Sequence, residues 1–153
     1  MRLLAQLNDL FEILDYKFKD IQLIVTALTH SSYANETKDE ITFNERLEFL
    51  GDSVLGLIIS DYLYRTFTDL TEGELSKIRA GVVSEFSLAQ KARALGLGSF
   101  LRLGKGEDNI GGRDRSSVLA DAMEAVIGAM YLDGGLNAAK TFVLKLLVPT
   151  IMS

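Results

Sequence analysis

The chain has 153 residues, of which 48% are apolar, 24% are charged and none is cysteine. This composition suits one folded domain with a hydrophobic core, and it excludes disulfides and thiolate metal sites. The net charge of −5 opposes general binding to nucleic acids, although six basic residues fall between positions 91 and 115 and leave room for one basic strip.

Helical spacing of apolar residues runs through the whole chain, and alternating strand patterns are hard to find. We predict seven helices in chain order: Leu3 to Leu14, Ile21 to Thr29, Asn44 to Phe67, Glu72 to Gly81, Glu85 to Leu95, Ser117 to Leu132, and Leu136 to the end. Thr71 with Glu74 forms a capping box, Gly96 ends one helix, and Asp133-Gly134-Gly135 separates the last two. The prediction is therefore an all-α, single-domain fold over residues 1–153.

Two polar segments are predicted loops, at residues 31–41 and at the glycine-rich residues 104–115. Loops beside functional elements often contact substrate, although a plain connector is commoner. No segment reaches the roughly 18 apolar residues of a membrane span. The N-terminus is amphipathic and lacks the pattern of a signal peptide. We expect a cytoplasmic protein without a membrane partner.

The predicted helix from Asn44 carries three carboxylates among apolar residues. At about 100° per residue, Glu45, Glu48 and Asp52 share a sector roughly 60° wide. Phe49 lies beside that sector, and the leucine and valine side chains point to the opposite side. This helix is predicted to have an apolar face and, opposite it, an acidic edge.

A second predicted helix also carries acids on one side. Asp121 and Glu124 are three residues apart in the otherwise uncharged run from Ser117 to Leu132. Isolated carboxylates in such a setting cost several kcal/mol unless they are paired, protonated or bound to a cation. Three explanations stay open: solvated or ion-paired acids, a proton-transfer pair with raised pKa, or a divalent metal site. We favour the metal site, since basic partners are scarce in both helices.

The available ligands narrow the choice of metal. The chain has one histidine, His30, so di-iron Glu-x-x-His pairs and zinc sites do not fit. Oxygen ligands are the preference of Mg²⁺ and Mn²⁺. Two Mg²⁺ ions about 3.5–4 Å apart would suit phosphodiester hydrolysis.

The stretch "NERLEFLGDSVL" (residues 44–55) resembles the signature of the ribonuclease III family of double-stranded-RNA endonucleases. The resemblance continues in family order through "ALTHSSYAN" (27–35), "TEGELSKIRAGVVSE" (71–85) and "GGRDRSSVLADAMEAVIGAMYLDGG" (111–135). It implies the family's helical endonuclease fold and cleavage of duplex RNA to 5′-phosphate and 3′-hydroxyl ends. Two Mg²⁺ ions per active site, replaceable by Mn²⁺, and roles in rRNA and mRNA processing are also implied.

The resemblance assigns roles to individual residues. It implies metal binding by four carboxylates: Glu48, Asp52, Asp121 and Glu124. It implies that Asp52 and Glu124 matter most for catalysis, and that Glu45 and Glu72 are further acids at the cutting site. It also implies a homodimer in which Phe49 inserts into a pocket of the partner subunit.

Three basic residues of the glycine-rich loop are candidates for binding RNA phosphates: Lys105, Arg113 and Arg115. An equally supported alternative is that they are solvated charges on a loop. His30 is expected to cap or pack at a helix end and not to act as a general base.

The chain departs from the family in ending without a lysine-rich double-stranded-RNA-binding domain, so we expect weak, Mg²⁺-dependent binding to RNA. Two other functions stay open. One is an all-α nucleoside-triphosphate pyrophosphohydrolase, which shares only the paired acids. The other is a catalytically silent RNA-processing scaffold, which would be expected to have lost some of the six acids.

Overall fold

The computed structural model describes residues 2–153, with side chains from residue 5 onward. Its α-helices are α1 (Arg2–Leu14), α2 (Ile21–Ala27), α3 (Ser31–Glu36), α4 (Glu45–Thr66), α5 (Glu72–Val82), α6 (Glu85–Leu95), α7 (Lys105–Asn109) and α8 (Ser116–Ile151). Two short 3₁₀ turns cover Leu97–Phe100 and Gly112–Asp114. Within residues 2–153, β-type pairing is limited to one bridge, between Thr29 and Arg102, and no helix is long and apolar enough to cross a bilayer. The predicted all-α, single-domain class is confirmed.

The predicted helix boundaries coincide with local caps. The Thr71 hydroxyl accepts the N–H of Glu74, and the Glu74 carboxylate accepts the N–H of Thr71, which completes the capping box of α5. Gly96 ends α6 in the left-handed conformation, with φ of 70°. Hydrogen bonding carries α8 across the predicted break, but Gly135 has φ of 83° and ψ of 178°, so α8 is kinked there. The Asp-Gly-Gly signal marks this kink.

Two short helices, α3 and α7, lie where the sequence predicts loops. His30 caps α3, because its Nδ1 accepts the N–H of Ser32 at 3.1 Å. The Glu36 carboxylate accepts the N–H groups of Lys105 at 2.9 Å and Gly106 at 3.2 Å at the start of α7. Because each helix is held by residues outside itself, periodicity alone does not reveal it.

The core forms around the crossing of α4 and α8. Gly51 on α4 packs directly on the backbone of Glu124 on α8. Around the crossing the largest fully buried side chains include Leu55, Ile59, Met123 and Ile127. Burying each such side chain contributes about 1.5–3 kcal/mol. This packing fixes the distance between the two helices that carry the acids.

The position of the acids on α4 corrects the predicted face. The buried side of α4, with Leu55 and Ile59, faces α8, and Glu48 is half-buried on that same side. Leu47 and Val54 of the predicted apolar face are buried, whereas Leu50 is only partly buried and also lines an outer groove. The acids therefore flank the buried side, because the helix packs through its glycine and not through its leucines alone.

The kink in α8 is tied to the chain that follows α1. The Tyr16 hydroxyl donates a hydrogen bond to Asp133 Oδ2 at 2.5 Å, and the N–H groups of Lys19 and Asp20 donate to the same carboxylate at 3.0 and 2.8 Å. Burial, and then the bond to Asp133, raises the pKa of Tyr16 to about 12. Asp133 thus links the kink of α8 to the chain that follows α1.

Candidate metal centre

Three carboxylates from α4 and α8 meet beside the helix crossing. One oxygen from each of Glu48, Asp121 and Glu124 lies within 4.8 Å of the other two. The spacing of three residues places Asp121 and Glu124 on one side of α8, toward Glu48. Glu48 on α4 therefore joins the predicted pair of acids on α8.

The acids form two pairs, and each pair bridges α4 and α8. Glu48 faces Asp121 and Glu124 faces Asp52, each pair close enough to share a proton in a hydrogen bond. Burial, followed by the charge of Asp121, raises the pKa of Glu48 to about 7. Burial, followed by the bond and charge of Asp52, raises the pKa of Glu124 to about 8. When no cation is bound, both acids therefore lose their protons at a higher pH than an ordinary glutamate.

Asp121 is influenced by burial and by charges from several elements. Burial raises the pKa of its carboxyl group above the ordinary value, while the hydrogen bond with Glu48 lowers it. The charges of Glu85 and Glu45 raise the pKa further, and that of His30 lowers it. The balance is a raised pKa, because burial makes the largest contribution.

This donor set fits a hard divalent cation. The clustered ligands are carboxylate oxygens, the type that Mg²⁺ and Mn²⁺ prefer. Burial raises the pKa values of Glu48 and Glu124, and repulsion between carboxylates this close raises them further. A cation between them would relieve the repulsion and displace the protons. The paired-acid and metal explanations therefore describe two states of one site.

The other two predicted acids lie differently. Glu45 begins α4 and is exposed, close enough for its charge to raise the pKa of Glu48. Glu72 begins α5 and lines a separate groove of about 380 Å³ with Leu57 and Tyr64. The carboxylate cluster among the described residues comprises Glu48, Asp121 and Glu124, without Glu72. The structure does not bring Glu72 to the carboxylate cluster of its own chain.

The basic loop residues are mostly engaged within the protein. Arg113 binds Asp108 through Nε at 3.0 Å and Nη2 at 3.2 Å, and its Nη1 donates to the carbonyls of Gly98 and Leu101. Most donors of Arg113 are therefore used within the protein, and its contact with phosphate stays a prediction. Arg115 pairs with Glu107 at 3.1 Å. The side chain of Lys105 is exposed, and its phosphate contact stays a prediction.

Two further expectations concern His30 and Phe49. His30 caps α3, as expected for a histidine at a helix end. Phe49 is 79% exposed, which is unusual for phenylalanine. It stands beside a largely apolar groove of about 740 Å³ whose walls include Leu23, Phe43 and Leu132. An exposed aromatic beside an apolar groove is suited to a protein interface.

Sequence reasoning missed the residues that set the geometry of the site. Gly51 and Gly128 permit the close approach of α4 and α8. Arg93 donates to the Asp114 carbonyl and to Ser116 at the start of α8. A glycine inside a predicted helix is a signal that could have pointed to close packing. Nothing in the sequence marks the acceptors of Arg93.

Comparisons with known proteins agree with this geometry. The family model described as "Ribonuclease-III-like" matches residues 20–151. The protein named Ribonuclease 3 of Caldanaerobacter subterraneus subsp. tengcongensis is 62% identical over 133 residues, which cover 87% of this chain and 58% of the relative. That of Streptomyces coelicolor is 60% identical over 129 residues, covering 84% and 46%. The chain spans about half the length of these curated relatives.

Solved structures give the same relationship. The nuclease domain of ribonuclease III from Campylobacter jejuni superposes with a TM-score of 0.85 at 45% identity, covering 92% of this chain and 94% of that one. Dicer from Pichia stipitis superposes with a TM-score of 0.66 at 30% identity, covering 88% and 57%. The matching residues include both helices that carry the acids, since the family model spans α4 through α8. The chain belongs to the ribonuclease-III-like family.

Proposed function

We propose that the chain is a divalent-metal-dependent endonuclease that hydrolyses phosphodiester bonds of double-stranded RNA to 5′-phosphate and 3′-hydroxyl ends. The observation that carries the proposal is the carboxylate cluster: oxygens of Glu48, Asp121 and Glu124 lie within 4.8 Å of one another. Membership of the family and relatives named Ribonuclease 3 support the same reaction. Processing of rRNA and mRNA is the corresponding expectation for its role.

The residues proposed to hold the metal are Glu48, Asp52, Asp121 and Glu124. We propose two Mg²⁺ ions per site, which Mn²⁺ can replace. When bound, two such ions supply Lewis acidity that activates a water and stabilises the oxygen that leaves. The two carboxyl pairs across α4 and α8 offer this site oxygen ligands from both helices. Once they lose their protons, the carboxylates of each pair repel one another, and a bound cation would offset that repulsion.

Asp52 and Glu124 are the acids on which the proposal places most of the catalytic effect. Glu124 is partly buried at the crossing, and Asp52, with which it shares a hydrogen bond, is exposed. This pair therefore joins the protein interior to the surface on which a duplex would lie. Glu45 flanks the same surface, and Glu72 remains a proposal that rests on the resemblance.

A homodimer is proposed from the outward face of α4. Phe49, Leu57 and Tyr64 lie on this face with exposed fractions of 79%, 57% and 77%. Three large exposed side chains on one helix are typical of an interaction surface. One solved structure of the Campylobacter jejuni nuclease domain is described in terms of a region involved in dimer formation. Two subunits would place two cutting sites along a shared cleft.

Cleavage of a perfect RNA duplex at low salt, with and without Mg²⁺, tests the proposal. The parent chain is expected to make short fragments with 5′-phosphates only when Mg²⁺ or Mn²⁺ is present. Glu124→Gln and Asp52→Asn are expected to keep the fold and lose cutting. If the parent leaves duplex RNA intact at high concentration with Mg²⁺, the proposal is wrong.

The same experiment addresses the two alternative functions. A silent scaffold would bind RNA without cutting it, so fragments that depend on Glu124 exclude it. A pyrophosphohydrolase would release pyrophosphate from nucleoside triphosphates, and membership of the ribonuclease-III-like family opposes that reaction. Weak RNA binding without metal is also expected, because the net charge is −5 and two loop arginines pair internally.

A further inference from the structure

Two arginines link the segment that precedes α8 to the rest of the fold. Arg113 lies within the segment and binds outward to neighbouring loops, and Arg93 binds the segment from α6. We call Arg93 and Arg113 the arginine clamp. Both belong to the strip of basic residues that the sequence offered as a nucleic-acid contact.

Arg113 joins three stretches of chain through one guanidinium group. Nε and Nη2 bind the Asp108 carboxylate in α7, and Nη1 donates to the carbonyls of Gly98 at 3.0 Å and Leu101 at 2.6 Å. A Cβ on Gly98 would lie 2.6 Å from the Arg113 carbonyl oxygen, so the backbones also touch. Arginine can make such a fork of bonds and lysine cannot.

Arg93 holds the first residue of α8. Its Nη2 donates to the Asp114 carbonyl at 2.6 Å and to Ser116 Oγ at 2.9 Å. The start of α8 has no side-chain N-cap of its own. Arg93 cannot cap the free N–H groups of the first turn, because a guanidinium only donates hydrogen bonds. Its bonds to Asp114 and Ser116 instead tie the start of α8 to α6.

The position of the clamp links it to the carboxylates. Asp121 lies on the second turn of α8 and Glu124 on the third, so a shift at Ser116 moves both. We infer that Arg93 and Arg113 are positioning residues that set Asp121 and Glu124 against Glu48 and Asp52. This inference rests on the proposed function, because it treats these acids as the metal site.

The change in charge alone predicts the opposite effect of these substitutions on metal affinity. Removing a positive charge near four carboxylates makes cation binding more favourable. Loss of the clamp displaces ligands and makes cation binding less favourable. A fall in metal affinity on removal of an arginine therefore reports geometry and not charge.

The test is Mn²⁺ binding by titration calorimetry in the absence of RNA, followed by kcat and KM for duplex cleavage. Arg113→Ala and Arg93→Ala are expected to weaken Mn²⁺ binding by about ten-fold, the low end of what loss of an outer partner costs. The value of kcat should fall while KM changes less than two-fold. Lys140→Ala, which removes an exposed charge from α8 beyond the kink, is the matched control and should match the parent.

Two more variants separate the clamp from a grip on phosphate. Gly98→Ala pushes the same backbone aside without changing any charge, and it should weaken Mn²⁺ binding as Arg113→Ala does. Arg113→Lys keeps the charge but not the fork, so it should behave like Arg113→Ala. A phosphate-binding arginine would instead be rescued by lysine and would change KM.

The outcomes distinguish the two levels of inference. If the parent binds no Mn²⁺ and cuts no duplex RNA, the proposed function fails and the clamp fails with it. If the parent binds Mn²⁺ and the arginine variants bind it equally well, only the clamp is wrong. If Arg113→Ala does not fold, Arg93→Ala and Gly98→Ala decide the question.

Discussion

Gly51 and Gly128 face each other where α4 crosses α8. A Cβ on Gly51 would lie 1.7 Å from the Glu124 carbonyl oxygen, and a Cβ on Gly128 would lie 2.4 Å from the Leu47 carbonyl oxygen. No side chain larger than hydrogen fits at either position without separating the helices. Leu47 and Gly51 directly adjoin the proposed ligands Glu48 and Asp52, and Gly128 lies about one helical turn from Glu124.

Gly51→Ala is expected to destabilise the fold and to weaken Mn²⁺ binding. Forcing a methyl group into a packed backbone contact costs typically 1–3 kcal/mol, and relief requires α4 to move away from Glu124. Urea unfolding and metal titration measure the two effects. Gly81→Ala in α5 is the control, because a Cβ there meets nothing within 4 Å. Equal stability of Gly51→Ala and Gly81→Ala would contradict the packing described.

Affinity for Mg²⁺ or Mn²⁺ is expected to rise between about pH 6 and pH 9. The pKa of Glu48 is about 7 and that of Glu124 about 8, so both acids must lose protons to bind a cation. Calorimetry in buffers of different ionisation enthalpy should detect proton release below pH 8. Affinity that does not change over this range would mean that these pKa values are wrong.

Stability without metal is expected to fall as the pH rises from about 5 to 8. Because the pKa values of Glu48 and Glu124 are raised in the folded state, the native chain binds more protons than the unfolded chain in this range. Thermal unfolding at several pH values measures the trend. The variant with both acids changed to glutamine should show a flatter profile, and saturating Mn²⁺ should reverse the trend in the parent.

Phe49→Ala is expected to shift the chain from dimer to monomer. Burial of one phenylalanine contributes about 2 kcal/mol. Two-fold symmetry doubles the effect, so the dissociation constant should rise on the order of 1000-fold. Sedimentation at several concentrations measures it. Phe86→Ala is the control, since Phe86 is 75% exposed on α6; equal effects of both substitutions would argue against a specific interface at Phe49.

His30→Asn is expected to keep both stability and cutting, because asparagine is a good N-cap and can replace the cap at Ser32. His30→Ala should lose about 1 kcal/mol of stability. The pH–rate profiles of the parent and of His30→Asn should coincide. A rate that collapses in His30→Asn with an intact fold would restore the general-base interpretation of His30.

The sequence alone predicted those features that depend on residues close together in the chain. Helical periodicity located α4 and the kinked α8, and the spacing of Asp121 and Glu124 placed them on one side. The capping box at Thr71 is a contact between near neighbours, so its prediction succeeded.

What the sequence did not reveal depends on partners distant in the chain. The role of Arg113 is set by backbone carbonyls, which every residue has, so no pattern identifies its acceptors. The short helix α7 is held by Glu36 from elsewhere in the fold. Periodicity predicted that Leu47 and Val54 are buried, but the contact of Gly51 with Glu124, which also brings Glu48 to the buried side, depends on a partner distant in the chain.

The close contact of α4 with α8 also orders the events of folding. It joins distant parts of the chain, so it forms only after the intervening loop has closed. The carboxylates beside it repel one another as the two helices approach, and a cation can bind all of them only when they have met. Divalent ions should therefore leave the folding rate nearly unchanged and slow the unfolding rate, since they stabilise a contact that the transition state has yet to make.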